Sequence, residues 1–382
     1  MRIKKRKIVI INQAVNYLTI GLANEFANRF DKVDLITGSI HIQGEELHKN
    51  IELTKIIQWK EEHGIGKAIN YLKALWSMWY LLMTRFRKYE VFFVSAPPMA
   101  YLLNVVLPHK FSMIIWDVYP DGLKITGMQE SHPVYKIWSK LNKRSFKKAY
   151  KLFTIGDKMA DLLSQYIEKE KILTQPIWSI FQENNKVSKE ENPFIQEYNL
   201  QGKFIIQYSG NIGLTHKVEV MVALAEKMQD HKDILFQIIG RGPRKKVLQD
   251  LVKDKKLDNC QFLPFQSDDM FPYSLSAADV GIVILDEATS KGSVPSKSYN
   301  LMSYGIPSLY IASNDSELQN YAIKYNHAKC FTEKELDKSE AFILKLFNDK
   351  EYYKELSVSS VKVASNFKRE NAGKFVEKYL NI

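Results

Sequence analysis

Cysteine is almost missing from this chain: Cys260 and Cys330 are the only two in 382 residues. That excludes a disulfide-stapled scaffold, and no CxxC or Cys/His spacing marks a zinc site. A reducing cytosol is the expected compartment. There is also no run approaching the roughly 18 apolar residues that a membrane-spanning helix needs. The basic start MRIKKRK leads only into the short apolar stretch 8–11 before Asn12 and Gln13, which is too brief for a signal-peptide core. Walker A, HExxH and GxSxG motifs are absent, so the chemistry they mark is not expected. Acidic residues are scarce in one part of the chain. Residues 1–150 hold 23 Lys and Arg against 12 Asp and Glu, and the remainder is balanced. The whole net charge of +11 therefore lies in the first part. Such asymmetry points that part toward a polyanion or an anionic membrane.

What is present is ordinary globular composition, 45% hydrophobic and 25% charged, in a length that suits two or three domains. Short β-rich runs alternate with amphipathic helices. Strands are expected at 7–11, 33–37, 91–95, 113–116 and 152–155, with a helix at 17–30 whose Leu18, Leu22, Phe26 and Phe30 recur every fourth residue. Residues 181–199 are polar and acidic and read as a linker. The rhythm then restarts, with strands at 204–208, 234–239, 261–263, 280–285 and 308–312 and helices at 218–228 and 244–256. This βαβα order predicts two doubly wound α/β domains with parallel sheets. Ligands of such sheets sit at the carboxyl ends of the strands, and a cleft between the two domains is the expected site.

Four segments carry candidate chemistry. Tyr208-Ser209-Gly210-Asn211-Ile212-Gly213 follows a strand, and its glycines would let backbone approach a phosphate; a plain strand-to-helix turn fits the same residues. Gly240-Arg241-Gly242-Pro243-Arg244 also follows a strand, and Arg241 suits a diphosphate, though a solvated turn arginine fits as well. It is not a dinucleotide fingerprint, because Lys245 stands at the sixth position. Residues 293–307, SVPSKSYNLMSYGIP, read as a loop entering a helix at Ser296, with Lys297 beside it, Asn300 one turn on, and Gly305 as the terminating glycine. Asp117, in DVYPD, ends a strand of the basic half and is a candidate to orient an acceptor hydroxyl; an Asp opening a turn before Pro is the plain alternative.

Two helices carry the basic excess. On 133–149, Lys136, Lys140, Lys143 and Lys147 form one cationic stripe. On 67–88, Leu72, Leu75, Trp76, Trp79, Tyr80 and Met83 form an apolar aromatic face flanked by Lys67, Lys73, Arg85, Arg87 and Lys88. Such helices rest on membrane surfaces; core-packed helices with solvated faces fit the pattern too.

With YSGNIGL, FQIIGRGPRKKVL, NCQFLPF, SAADVGIVIL, SVPSKSYNLMSYGIPSLYIA and IIWDVYPDG in this order, the whole chain resembles GT-B-fold glycosyltransferases of the family-four type. It is similar to the bacterial branch that builds O-antigen and capsule and transfers sugars such as N-acetylfucosamine. The resemblance implies an acceptor domain at 1–180, a linker at 181–202, a donor domain at 203–371 and a last helix, 372–382, returning to the first domain. It implies retaining, metal-independent transfer from a nucleotide-sugar, UDP-linked in this branch, to a lipid-linked oligosaccharide. The enzyme would sit peripherally on the inner face of the cell membrane, with no cofactor and no nucleic-acid partner. Gly210, Asn211 and His216 would lie at the donor phosphates, Arg241 and Phe265 beside the nucleotide, Ser296 and Lys297 at the diphosphate, and Asn300 at the ribose. The chain departs from the wider family where two Glu are common, holding Gly292 and Asn300. Asn211 and His216 replace an Arg and a Lys, and Asp117 substitutes for an acceptor-domain His. Lys297 is therefore expected to supply the missing positive charge, with Asp117 as its catalytic partner. A nucleotide-sugar 2-epimerase of the same fold, or a basic nucleic-acid-binding protein, are the alternatives. The first would need donor-cleft carboxylates and a His, and the second a recognition motif.

Overall fold

The computed structural model describes residues 6–58, 65–94, 97–213 and 216–381. Basic residues 1–5, Ser95, Leu214 and the side chain of Lys67, all used above, lie outside that description. The chain forms two compact units, Met1–Ile180 with Arg369–Ile382, and Phe181–Lys368.

The first unit contains β1 (Lys7–Ile11), β2 (Ala14–Val15), α1 (Tyr17–Ala27), β3 (Lys32–Thr37), β4 (Ser39–Ile40), β5 (Ile51–Lys55), α2 (Ile65–Met83), β6 (Glu90–Val94), β7 (Phe111–Ile115), α3 (Pro133–Lys148), β8 (Lys151–Thr154), α4 (Asp157–Leu163) and β9 (Ile172–Thr174). Its main sheet runs β5-β3-β1-β6-β7-β8-β9, parallel throughout. The inner strands KIVII, EVFFV and FSMII are buried almost end to end, as strands covered on both faces must be.

The second unit contains α5 (Pro193–Glu197), β10 (Phe204–Asn211), α6 (Glu219–Lys227), β11 (Ile234–Arg241), α7 (Lys245–Asp254), β12 (Cys260–Leu263), α8 (Phe271–Ser276), β13 (Val280–Ile284), α9 (Lys297–Ser303), β14 (Ser308–Ile311), α10 (Glu317–Tyr325), β15 (Ala328–Phe331), α11 (Leu336–Asn348) and α12 (Lys350–Ala364). Its parallel sheet runs β12-β11-β10-β13-β14-β15. A buried amide ladder pins the register. Gln207, Gln237 and Gln261 are aligned neighbours on β10, β11 and β12. Gln207 Nε2 donates to Gln237 Oε1 at 3.0 Å, and Gln237 Nε2 to Gln261 Oε1 at 3.1 Å. A one-residue slip would break both bonds and turn every apolar side chain to the wrong face.

Residues 181–202, read above as a linker, belong to the second unit. The Asn192 side chain caps α5, Pro193 occupies its first position, and Phe194 and Ile195 bury fully against Leu200, Ile205, Leu235 and Ile239. Two adjacent apolar residues are enough to dock a polar segment onto a core. The boundary near the other end falls at Lys368, so the last helix, α13 (Asn371–Leu380), lies in the first unit with the arginine before it. Arg369 pairs with Glu45 and Glu25. Tyr379 packs among Phe26, Phe30 and Phe92 and donates to Glu90, which also holds Arg6 and Lys110.

In the second unit the buried Tyr310 hydroxyl pairs with His327 Nε2 at 2.8 Å, while His327 Nδ1 has no partner. Burial pulls this imidazole from 6.5 down to about 4. The unfolded chain thus takes up a proton near pH 6.5 that the folded chain refuses, so stability must fall as pH drops below that value. We expect a loss of about 2 kcal/mol by about pH 5. His327→Gln should abolish most of that pH dependence. Hydrogen exchange of the β14 and β15 amides measures it, and equal slopes in the two proteins would refute it.

Candidate active site in the second unit

The site is built at the carboxyl ends of β10 and β11. Both strands run further than their apolar runs suggest, so Gly210 and Asn211 pair in register with Gly240 and Arg241. These residues are therefore strand ends and not helix-opening turns: α6 begins only at Glu219 and α7 at Lys245. Pro243 accordingly precedes the helix instead of filling its first turn. Gly240 has φ of 158°, and a Cβ there would lie 1.9 Å from Gly210 O. Only the missing side chain lets the two strand ends close up. The closure is sealed by Ile212 N donating to Arg241 O at 2.8 Å.

Arg241, last in β11, is exposed. Its guanidinium lies 5.6 Å over the ring of Phe265, which is 58% exposed just past β12. A planar cation and an open ring face thus stand side by side, two surfaces on which a heterocycle or phosphate can settle. Asn211 is exposed next to Arg241 in the register.

Lys297 opens α9. Its stem is partly exposed, but Nζ is shut away from solvent with no hydrogen-bond partner. It sits 3.9 Å from the centroid of the Tyr208 ring, and a Cβ on Gly210 would fall 2.9 Å from it. Burial brings the amine down to about 7. His216, whose ring centroid is 6.4 Å from that of Tyr208, is pulled to about 3, first by burial and then by the Lys297 charge. Tyr208 is itself buried, and its hydroxyl donates to Asn211 O at 2.6 Å. Lys297 and Asn300 line a small cavity of about 20 Å³ with Gln207, Ser209 and Phe271, room for about one water.

Of the residues selected from sequence, Gly210, His216, Lys297 and Asn300 gather around this enclosed amine, and Arg241, Phe265 and Asn211 form an exposed group beside it. Ser296 is exposed and makes no side-chain cap, whereas Asn300, one turn on, is buried. Helix α9 starts one residue later, at Lys297. Gly305 does end the helix, at φ of 63°, with its N–H to Met302 O and that of Ile306 to Leu301 O, both 3.0 Å. Tyr208 and Gln207 were not singled out for a role. A tyrosine and a glutamine inside the apolar run FIIQYSGN are the signal that would have found them.

Asp117 lies in the first unit, exposed just past β7. The buried carboxylate of DVYPD is Asp121, which accepts from Tyr135 and Tyr166 hydroxyls at 2.8 and 3.1 Å and pairs with Lys124 at 3.0 Å. Tyr119 stacks on Trp138 at 5.5 Å, and Asn142 Nδ2 donates to Tyr119 O at 2.7 Å. The loop is thus held from both sides with Asp117 at its open edge. On α3, Lys136, Lys140, Lys143 and Lys147 are all exposed. On α2 the exposed stripe is Ile69, Leu72, Trp76, Trp79, Tyr80 and Met83, with Trp76 and Tyr80 stacked at 5.6 Å. The opposite face of α2, Ala74, Met78 and Leu82, is fully buried. Leu75 is only partly exposed, at the margin of the stripe. No helix among the described residues is long and apolar enough to cross a membrane.

Residues 188–362 match the family model for glycosyl transferases group 1. That stretch is similar to glycosyltransferases of this family, and the chain has the GT-B fold. It is 28% identical over 225 residues to a probable glycosyltransferase of Pseudomonas aeruginosa, WbjE, covering 57% of this chain and 54% of that one. It is 26% identical over 200 residues to WcaI of Escherichia coli K12, named for colanic acid biosynthesis, covering 52% and 49%. The chain therefore spans about half the length of these relatives. Among solved structures, that of Anabaena Alr3699/HepE with UDP and glucose superposes with a TM-score of 0.74 over 98% of this chain and 99% of that one, at 11% identity.

The close approach of the strand ends gives a direct test. Gly240→Ala should destabilise the second unit by roughly 1–3 kcal/mol, because backbone atoms must move. Gly202→Ala, also at positive φ (72°) but with nothing within 4 Å, should cost only ~1 kcal/mol of left-handed strain. Denaturant midpoints of the two variants compare them directly. An equal loss would mean that conformation, and not contact, demands the glycine.

Proposed function

We propose that the chain transfers a sugar from a nucleotide-sugar, UDP-linked in the first instance, to a lipid-linked oligosaccharide during bacterial surface polysaccharide synthesis. One observation carries the reading: within the matched stretch, an enclosed lysine amine with no counter-charge among the described residues stands against the glycine-lined end of β10. A group in that position calls for an anion, and the diphosphate of a donor supplies one. Arg241 would take a second phosphate oxygen or the nucleotide edge, with Phe265 offering its ring face to the base, and Asn300 would reach the ribose. As the glycosidic bond breaks, negative charge grows on the diphosphate, and Lys297 and Arg241 would stabilise it there. Among the described residues no group of three His, Cys, Asp or Glu gathers as a metal site, and this reading assigns the leaving-group charge to the two cations alone. Transfer would retain the anomeric configuration. Asp117 would orient the acceptor hydroxyl from the first unit.

Two relatives support the biosynthetic setting: WbjE is named as a probable glycosyltransferase, and WcaI for colanic acid biosynthesis. The acceptor side is supported by surface chemistry. An exposed aromatic stripe on α2 and a row of lysines on α3 suit the interface of an anionic bilayer, which is where a lipid-linked acceptor resides.

Thermal-shift screening against UDP-, GDP- and dTDP-sugars, followed by product analysis, tests the donor. Arg241→Ala and Phe265→Ala should each weaken nucleotide binding, Arg241→Ala by roughly 1.5–3 kcal/mol and Phe265→Ala by less. Calorimetric affinities at the wild-type level in both would remove these residues from the site.

The acceptor side is tested separately. Charge reversal at Lys136, Lys140, Lys143 and Lys147 should release the protein from anionic vesicles, each lysine contributing ~1 kcal/mol near the surface, and Trp76→Ala with Trp79→Ala should weaken binding further. Vesicle co-sedimentation that does not change would make both faces merely solvated.

A further inference from the structure

We propose that the donor diphosphate binds with uptake of a proton by Lys297, so that this enclosed amine is uncharged before the ligand arrives and cationic once it is bound. This deepens the donor reading above and rests on it.

The geometry carries the argument. Lys297 Nζ is enclosed, makes no hydrogen bond, and takes part in no ion pair among the described residues. The groups facing it are few. Tyr208 presents its ring face, 3.9 Å away, and its hydroxyl is turned to Asn211 O. His216 stands edge-on to the same ring, 6.4 Å between centroids. Gln207, Ser209 and Asn300 are neutral, and no carboxylate lines the cavity. Nothing in the empty site therefore stabilises an ammonium except one aromatic face, and burial opposes it. That balance brings the amine to about 7. Burial and then the Lys297 charge hold His216 at about 3.

A bound diphosphate changes the balance at one stroke. Its two negative charges, brought to the Gly210 end of β10 beside the amine, would favour the protonated form. The amine then takes a proton from solvent, the ammonium donates to a phosphate oxygen, and the charge is conserved between buffer and complex. Uptake occurs wherever the free amine is neutral and the bound one charged, that is, above the free value of about 7 and below the raised bound value. His216 does not substitute for it there, since a group held near 3 stays neutral in that range.

The experiment is titration calorimetry of the full chain with UDP-glucose, whose doubly esterified diphosphate does not titrate in the neutral range. Binding heats in buffers of different ionisation enthalpy give the proton count. About one proton should be taken up near pH 8, falling toward zero near pH 6, and affinity should weaken by up to about tenfold per pH unit above neutrality. Lys297→Met should abolish the uptake and weaken binding roughly tenfold to a hundredfold. Lys297→Arg, which cannot lose its proton, should bind without uptake and without that pH slope. His216→Gln should keep the uptake. Binding of UDP-glucose by the wild type with no proton taken up would overturn this inference and leave the donor reading standing. Failure of UDP-, GDP- and dTDP-sugars alike to bind would overturn both.

Discussion

An amine enclosed without a counter-charge is the constraint around which the second unit is organised. A buried charge ordinarily finds a partner or gives up its proton. Lys297 has no acid beside it, and the surrounding fold keeps it so. Two glycines let β10 and β11 run to a common end. Tyr208, locked by its bond to Asn211 O, holds one ring face under the amine. The neutral Gln207 amide at the cavity is tied up by its own bonds to Gln237 and Ser274. Beside the cavity, Tyr208 and Gln207 have hydrogen-bond partners and Lys297 Nζ has none.

The first unit shows the opposite habit. Two of its carboxylates are closed off by partners: buried Asp121 by two tyrosines and a lysine, and partly buried Glu90 by Arg6, Lys110 and Tyr379. What it leaves open is its surface, where the excess of lysine and arginine meets an aromatic stripe. The excess positive charge is thus spread over the outside of the first unit, while the second unit encloses one amine at the end of its sheet. Spread charge acts at long range, is screened by salt and suits a surface. Enclosed charge acts on one group at contact distance.

Much of this was legible in the sequence where hydrophobic runs were dense. Strand 7–11 was placed to the residue, and the αβ rhythm gave two parallel sheets, because strands buried on both faces must be almost wholly apolar. In the two large sheets the strands that escaped notice are β5, β9 and β15, reading IELTK, ILT and AKCF. Each lies at a sheet edge, where one side meets solvent and the apolar signal thins. Segment 181–202 was misjudged because two buried residues decide its place among many polar ones. At the site, the stretch PSKSYN drew attention to Lys297 and Asn300, yet the ring under the amine and the ladder beside it come from residues far apart in the chain. Asp117 and Asp121 differ by four positions and looked alike; only α3 and Tyr166, packed onto the loop, separate an exposed carboxylate from a buried one.

The choice of lysine over arginine at position 297 follows from the same physics. A guanidinium keeps its proton under almost any condition and needs a planar set of acceptors around its five N–H groups. Enclosed at this point, with Tyr208 as its only close face, it would be a permanent buried cation and would destabilise the empty site. An amine is compact, rotates its donors freely and sheds a proton when desolvated. It can therefore occupy a pocket that is neutral before the ligand arrives and charged afterwards. Arginine suits the exposed place held by Arg241, where water satisfies the fork until a ligand does and Phe265 supports its plane. The two cations are not interchangeable parts of one positive patch. One is always charged and open to water, the other enclosed and charged only in company, and the backbone closure at Gly210 and Gly240 is what places them at the same end of the sheet.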